Sequence, residues 1–272
     1  MKNARPKRLR LDPEKRREAI LDTAQALFRA QGWDNVSVAD ILDAAGLSKG
    51  GFYHHFSAKE DLLSALAQRV AERALTAGDK ARRNAEGGAV ARLNAFLAGS
   101  MRWQAENAEE IRVLIDILAH PGNDLLVQRM THATRGAVVP ELLALIGDGV
   151  ADGAFDVVDA GVTAEIIFKL TQERGPVWAD AVARASCGDF EGAVERLGAR
   201  LRVEGAACDR LLGLSPGSVV LSHPANIRRL LTGLINVKAD PSPKRNASVE
   251  ACLSEDAPRT RTVGSTKSPR RR

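Results

Sequence analysis

Residues 37–59, SVADILDAAGLSKGGFYHHFSAK, decide how the chain is read. They form two short helices joined by a tight turn. Ser37 is placed to cap the first helix, with Asp40 three residues on in capping-box position. Ile41, Leu42 and Ala45 give that helix one apolar stripe. Gly46 stops it, because glycine readily takes the left-handed backbone that a helix end often needs. Leu47 follows as a packing residue, and Ser48 caps the second helix, which is expected to run for roughly two turns. Phe52 and Phe56, four apart, share one face of it and anchor it inward. Lys49, Tyr53 and His54 lie away from those anchors and offer hydrogen-bond donors. Ser57 and Glu60 make a further capping signature, S-A-K-E, at the start of a longer helix.

A helix, a glycine turn and a second helix with a polar outer face is the helix-turn-helix arrangement, whose second helix fits the DNA major groove. An ordinary helical hairpin with a solvated face would satisfy the same pattern. What separates the two is the string S-V-x-D-I-x-x-A-A-G-L-S-K-G-x-F-Y-x-H-F-x-x-K-E-x-L, unbroken from Ser37 to Leu62 and extending more loosely back to about residue 14. It resembles the signature of the tetracycline-repressor (TetR) family of bacterial transcription regulators. The resemblance implies an all-α protein, with an N-terminal three-helix helix-turn-helix DNA-binding domain and a larger helical ligand-binding and dimerisation domain. It implies DNA contacts, mostly to phosphates, from Ser37, Lys49, Tyr53, His54 and Lys59, with Gly51 allowing close backbone approach. Phe52, Phe56 and Leu47 would pack. His55 matches the motif histidine of the family, and two roles stay open for it, a phosphate contact or a brace for the next helix. Gly50 and Gly51 leave the start of the recognition helix without side chains, so base readout is expected to lean on Tyr53, His54 and the N-terminal arm.

Around this centre the chain divides into four parts. Residues 1–11, MKNARPKRLRL, are a basic arm without periodicity. Residues 12–75 hold the helix-turn-helix unit. Its first helix is capped by Asp12 with Pro13 at the first position, and turns Ile20, Ala24, Leu27 and Phe28 inward. Gly32 ends that helix, Trp33 packs over its end, and Val36 staples the next. The helix from Ser57 faces Leu62, Leu63, Leu66, Val70 and Ala74 inward. Residues 76–237 form the helical body. A break falls near Gly87-Gly88, helical spacing resumes from Val90, His120-Pro121-Gly122-Asn123 turns, and a helix covers about 124–147 with a kink expected at Pro140. Residues 147–161 read as a loop with a short extended piece. Two long helices follow, about 161–186 (interrupted at Gly175-Pro176) and 189–213, with a last one from His223-Pro224 to about Val237. Residues 238–272 form a basic tail without the apolar content to fold.

Composition agrees with packed helices. Hydrophobic residues make up 44% of the 272 and aromatics only 4%, so the core is mostly Ala, Leu and Val. The net charge of +5 is uneven, with +6 on residues 1–17 and +5 on residues 238–272, leaving −6 on the body. Basic ends on an acidic body suit contact with a polyanion, and equally they aid solubility. No apolar run reaches the ~18 residues that cross a bilayer, and the charged N-terminus does not read as a secretory signal. Cys187, Cys208 and Cys252 share no metal or redox spacing. A cytoplasmic protein without membrane contact is the simplest expectation.

An enzyme finds little support, since phosphate loops and HExxH are missing from the sequence. His54-His55 is a poor metal pair because helical neighbours point about 100° apart; neither a cofactor nor a metal is expected. In the body, Phe96, Met101, Trp103, Met130, Phe168 and Trp178 either line an effector pocket or are simply core. The function implied is a DNA-binding regulator, a repressor released from a palindromic double-stranded operator by a small-molecule effector. It would act as a homodimer through the pair of helices at 161–213. The alternative is an interaction protein on the same fold that binds a protein partner and no longer touches DNA.

Overall fold

Helix α1 (Pro13–Gln31) starts where Asp12 accepts a hydrogen bond from the Glu14 amide and Pro13 presets φ. It ends at Gly32, whose φ of 81° suits glycine. These elements belong to a computed structural model that describes residues 12–120 and 122–236; the expected arm and tail lie outside the described residues. Next come α2 (Val38–Ala45), α3 (Lys49–Tyr53) and α4 (Lys59–Arg83). The body follows as α5 (Ala89–Glu106), α6 (Ala108–Ala119), α7 (Asp124–Ala151), α8 (Ala160–Gln172), α9 (Gly175–Ser186), α10 (Phe190–Leu211) and α11 (Pro224–Asn236). The fold is all-α, an N-terminal helix-turn-helix unit followed by a larger helical part. Among the described residues no helix is long and apolar enough to cross a membrane.

Three local expectations need correcting. Helix α3 has five residues rather than two turns: Gly50 and Gly51 weaken it, and its end tightens into the turn that carries His54 and His55. Helix α4 begins after Ala58, which has no side-chain acceptor, so the S-A-K-E box does not form. The Asp61 carboxylate instead reaches back to the amides of Ser57 (2.8 Å) and Ala58 (3.1 Å). Helix α7 continues through Pro140 and on to Ala151, so residues 147–151 are helical and not loop. The turn beyond it is pinned by Phe155, whose ring sits where a side chain on Gly149 would be, 2.1 Å from a hypothetical Cβ. The 161–186 segment is interrupted at Gly175-Pro176 as expected, which divides it into α8 and α9.

Two apolar clusters organise the chain. One gathers Ile20, Leu21, Ala24 and Phe28 of α1 with Val36, Ile41, Leu42, Phe52, Phe56 and the buried leucines of α4. It also takes in Val113, Leu114 and Ile117 of α6 and Met130 of α7. The other fills the body from α5 to α11. Helix α4 runs past residue 75 without a break and joins both.

Its C-terminal half meets α5 at a close crossing. A Cβ on Gly99 would lie 2.6 Å from the Ala81 Cβ and 2.9 Å from the Ala77 carbonyl oxygen, and one on Gly78 would lie 2.4 Å from Ser100 Oγ. Only glycine permits that approach. Elsewhere in the body, the fully buried Asp209 accepts the amides of Gly217 and Val219, holding the loop between α10 and α11.

Candidate nucleic-acid interface

The capping box at Ser37 forms as its spacing implies. The Asp40 carboxylate accepts from the Ser37 amide (2.7 Å) and hydroxyl (2.6 Å), and Ser37 Oγ accepts the Asp40 amide (3.2 Å). These bonds, the hydroxyl foremost, hold the Asp40 carboxyl below its ordinary range. Gly46 takes the left-handed conformation (φ 62°, ψ 37°) and ends α2. Ser48 Oγ accepts the Gly51 amide at 3.3 Å and starts α3. With Phe52 wholly buried and Phe56 nearly so, their rings 5.8 Å apart, α3 has one rotation available.

That rotation turns Lys49, Tyr53 and His54 outward, together with Ser37 on the preceding cap. Tyr53 is 56% exposed although it is a large aromatic, its ring edge-on to Phe52 at 5.3 Å. A Cβ on Gly50 would meet nothing within 4 Å, and one on Gly51 only Ser48 Oγ at 3.6 Å. Internal packing therefore does not require glycine at either position.

His55 is half-buried, its ring 5.0 Å from that of His54. Burial first, then the nearby His54, Arg16 and Arg17, pushes its pKa below the ordinary 6.5, so it is neutral at pH 7. Lys59 is half-buried too. Its ammonium donates to the Trp33 carbonyl oxygen at 2.6 Å and sits 4.0 Å from the centre of the Trp33 ring. Burial lowers its pKa, against the opposing pull of Asp34, Glu60 and Asp40.

Two supporting side chains escaped the sequence reading. Arg69 of α4 is buried and donates to Glu18 (3.1 Å), Asp22 (2.7 Å) and Gln25 (2.6 Å) of α1. It falls three residues after Leu66 on the inward stripe of α4, and a charge on an apolar stripe was the available signal. Arg17 lies over the Phe56 ring at 5.4 Å. Trp33 packs edge-on against Phe28 at 5.0 Å, over the end of α1 as expected.

The six candidate pocket residues do not come together. Phe96, Met101, Phe168 and Trp178 are buried in the body cluster, Met130 belongs to the helix-turn-helix cluster, and Trp103 is half-buried. An open surface groove of about 470 Å³ lies between α4 and α7, lined by Asp61, Ser64, Gln128, Arg129, His132 and Ala133. A second, of about 400 Å³, is lined by polar residues of α1 and α4. None of the six lines either one.

Known proteins resemble parts of this chain. Residues 20–66 match the family described as bacterial regulatory proteins, tetR family. The HTH-type transcriptional repressor KstR2 of Rhodococcus jostii is 46% identical over 48 residues, 18% of this chain and 24% of that protein. The HTH-type transcriptional repressor AcnR of Corynebacterium diphtheriae is 35% identical over 101 residues, 36% of this chain and 50% of that protein. The chain thus spans between a quarter and a half of these two curated relatives. Among solved structures, RolR in complex with resorcinol superposes with a TM-score of 0.51 at 20% identity, covering 85% of this chain and 97% of that one. A TetR-family regulator from Syntrophomonas wolfei gives 0.52 at 19% identity, covering 71% and 96%. At these identities the structural likeness speaks to the fold, and the sequence likeness to the helix-turn-helix unit. Over residues 20–66, with the Ser37 cap, the Gly46 turn and the phenylalanine-anchored α3, the chain is similar to the helix-turn-helix unit of the TetR family of bacterial regulatory proteins.

Proposed function

We propose that this chain is a transcriptional repressor that binds duplex DNA as a homodimer and releases it when a small molecule enters the helical body. The observation that carries the reading is the outer face of α3. Lys49 and Tyr53 stand exposed on a helix fixed by two buried phenylalanines, with His54 exposed just past its end, beside glycines that the chain's own packing does not need. A short helix held this way is suited to the major groove, Lys49 and Ser37 to phosphates, and bare Gly51 to close backbone approach. His55, uncharged at pH 7, is assigned to bracing the turn into α4.

Helix α3 alone offers few contacts, so specific binding calls for two copies, with recognition helices ~34 Å or more apart across a two-fold axis. Exposed apolar side chains on the body, Val162 and Ile166 of α8 and Val203 of α10, supply a face for the partner copy. For the effector, the relevant precedent is RolR, a protein of this fold solved with resorcinol. The aromatic and Met side chains around Phe96, Met101, Phe168 and Trp178 are the apolar lining we assign to such a ligand, which must part them to enter.

The test is selection of a duplex from a random-sequence library by the full-length chain, followed by affinity against salt. Lys49→Ala should lower the slope of log affinity against log salt by about 0.9 per subunit. Tyr53→Ala should weaken the selected duplex roughly ten-fold, with a smaller effect on bulk DNA. Light scattering should give a dimer. Unchanged binding in both variants, with circular dichroism intact, would refute the assignment.

A further inference from the structure

Lys59 is the first residue of α4, on the side of the molecule where the family signature implies a phosphate contact. Its ammonium is instead engaged within the chain. It donates to the backbone carbonyl of Trp33 at 2.6 Å, 26 residues earlier in the chain, and lies 4.0 Å from the centre of the Trp33 ring. The same carbonyl accepts the Val36 amide at 3.4 Å, closing the turn that delivers the chain to the Ser37 cap. The Trp33 ring is held in turn by Phe28 of α1, edge-on at 5.0 Å and 62°. One cation therefore joins the turn before α2 to the start of α4, and α2 and α3 are the segment enclosed between those two points.

The chemistry suits a clamp. A charge-assisted bond to a carbonyl is stronger than a neutral one, and an ammonium over an indole face gains further when partly desolvated. Lys59 is half-buried, so both conditions hold. Without it, among the described residues, the α1–α2 turn and the α4 start would rely on the apolar contacts beneath them, leaving α3 freer to shift relative to α1.

We infer that Lys59 is a positioning residue, which sets the placement of α3 by clamping the Trp33 turn to α4, and not a contact to DNA phosphate. This rests on the DNA-binding reading above but makes a different demand on the data. A phosphate contact contributes to the salt dependence on every sequence, whereas a positioning residue affects the fit to the preferred sequence and leaves the salt dependence alone.

The experiment uses the full-length chain, the duplex it selects from a random-sequence library, and bulk duplex DNA. Lys59→Met keeps the side-chain stem and removes the ammonium. It should weaken the selected duplex roughly ten-fold, as for loss of a charge-assisted hydrogen bond, with the salt slope unchanged on both DNAs. Trp33→Leu should produce a similar loss, and the double variant should be no worse than either single one, since both break the same link. Lys59→Arg covers the case in which Lys59→Met fails to fold. It keeps the charge for a phosphate, but its planar fork cannot place one donor between that carbonyl and the ring. Positioning predicts weaker discrimination between selected and bulk DNA in Lys59→Arg; a phosphate contact predicts wild-type binding. A slope reduced by about 0.9 per subunit in Lys59→Met, or additive effects with Trp33→Leu, would overturn the inference while leaving DNA binding intact. If the unaltered chain selected no duplex, the DNA-binding reading would fall, and this one with it.

Discussion

His55 shows how a single side chain links this surface to solution conditions. Its pKa lies below 6.5 in the folded chain, chiefly through burial, so between 6.5 and that lower value the unfolded chain binds more protons than the folded one. The stability from a neutral His55 is complete above pH 6.5 and is lost as pH falls through the folded pKa. The melting temperature should therefore drop as pH is lowered from about 7 to about 5, and less steeply in His55→Asn, as followed by circular dichroism. Thiols give a second check. Cys208 is buried and its pKa is pushed up to about 11, whereas Cys187 is exposed. An alkylating reagent at about pH 8 should mark Cys187 and spare Cys208 in the folded chain, as read by peptide mapping. Sequence spacing was enough to place Ser37, Asp40, Gly46, Phe52 and Phe56, because each acts within four residues of its partner. It was not enough for Lys59 or Arg69, whose partners lie tens of residues away on α1 and its following turn. Nothing in a run such as S-A-K-E says where an ammonium will point.

Helices were legible from caps and periodicity, and their ends were not wherever a distant packing demand intervened. Helix α7 runs past its expected end because Phe155 folds back over Gly149, and α4 starts late because Asp61, not Glu60, satisfies the free amides. The same distinction governs what a methyl group does on a helix. At Gly99, an added Cβ would fall 2.6 Å from the Ala81 Cβ and 2.9 Å from the Ala77 carbonyl oxygen, a backbone atom that cannot easily withdraw. Gly99→Ala should cost about 1–3 kcal/mol, as overpacking does. Gly136, inside α7, has no atom within 4 Å of its hypothetical Cβ. There, alanine should add up to about 1 kcal/mol through helix propensity alone. Denaturant titration of both variants would show opposite signs for one chemical change. A comparable contact ties the last helix to α6, since a Cβ on Gly233 of α11 would meet the Ala108 Cβ at 2.5 Å, and Arg112 donates to the Leu234 carbonyl.

The whole molecule does not separate where the sequence suggested. The cluster that fixes α3 includes Val113, Leu114 and Ile117 of α6 and Met130 of α7, so the helix-turn-helix unit borrows part of its core from the body. Polar links run the same way: Arg29 pairs with Glu109 at 3.0 Å and Arg73 with Glu110 at 2.8 Å. A fragment of residues 12–83 would expose that apolar surface and should lack a cooperative thermal transition, whereas the full chain melts as a unit. A sharp transition in the fragment at the temperature of the full chain would show the borrowed residues to be dispensable. No reading of periodicity reveals this sharing, because α6 and α7 carry ordinary amphipathic patterns and only the packing shows which side each face serves. The α4–α5 crossing adds a mechanical consequence. Gly78 and Gly99 bring the two backbones so close that the crossing acts as a fulcrum, and the arm of α4 back to Lys59, packed against α1, α6 and α7 on the way, is nineteen residues, or ~28 Å, long. A rotation of only about 5° at that point swings the far end by ~2.5 Å, nearly half of one helical turn. In a two-fold pair the two arms move together, so their tips part or close by up to ~5 Å against a DNA repeat that does not change. Sensitivity to an effector would then be set less by the size of its cavity than by the stiffness of the glycine crossing about which the arm turns.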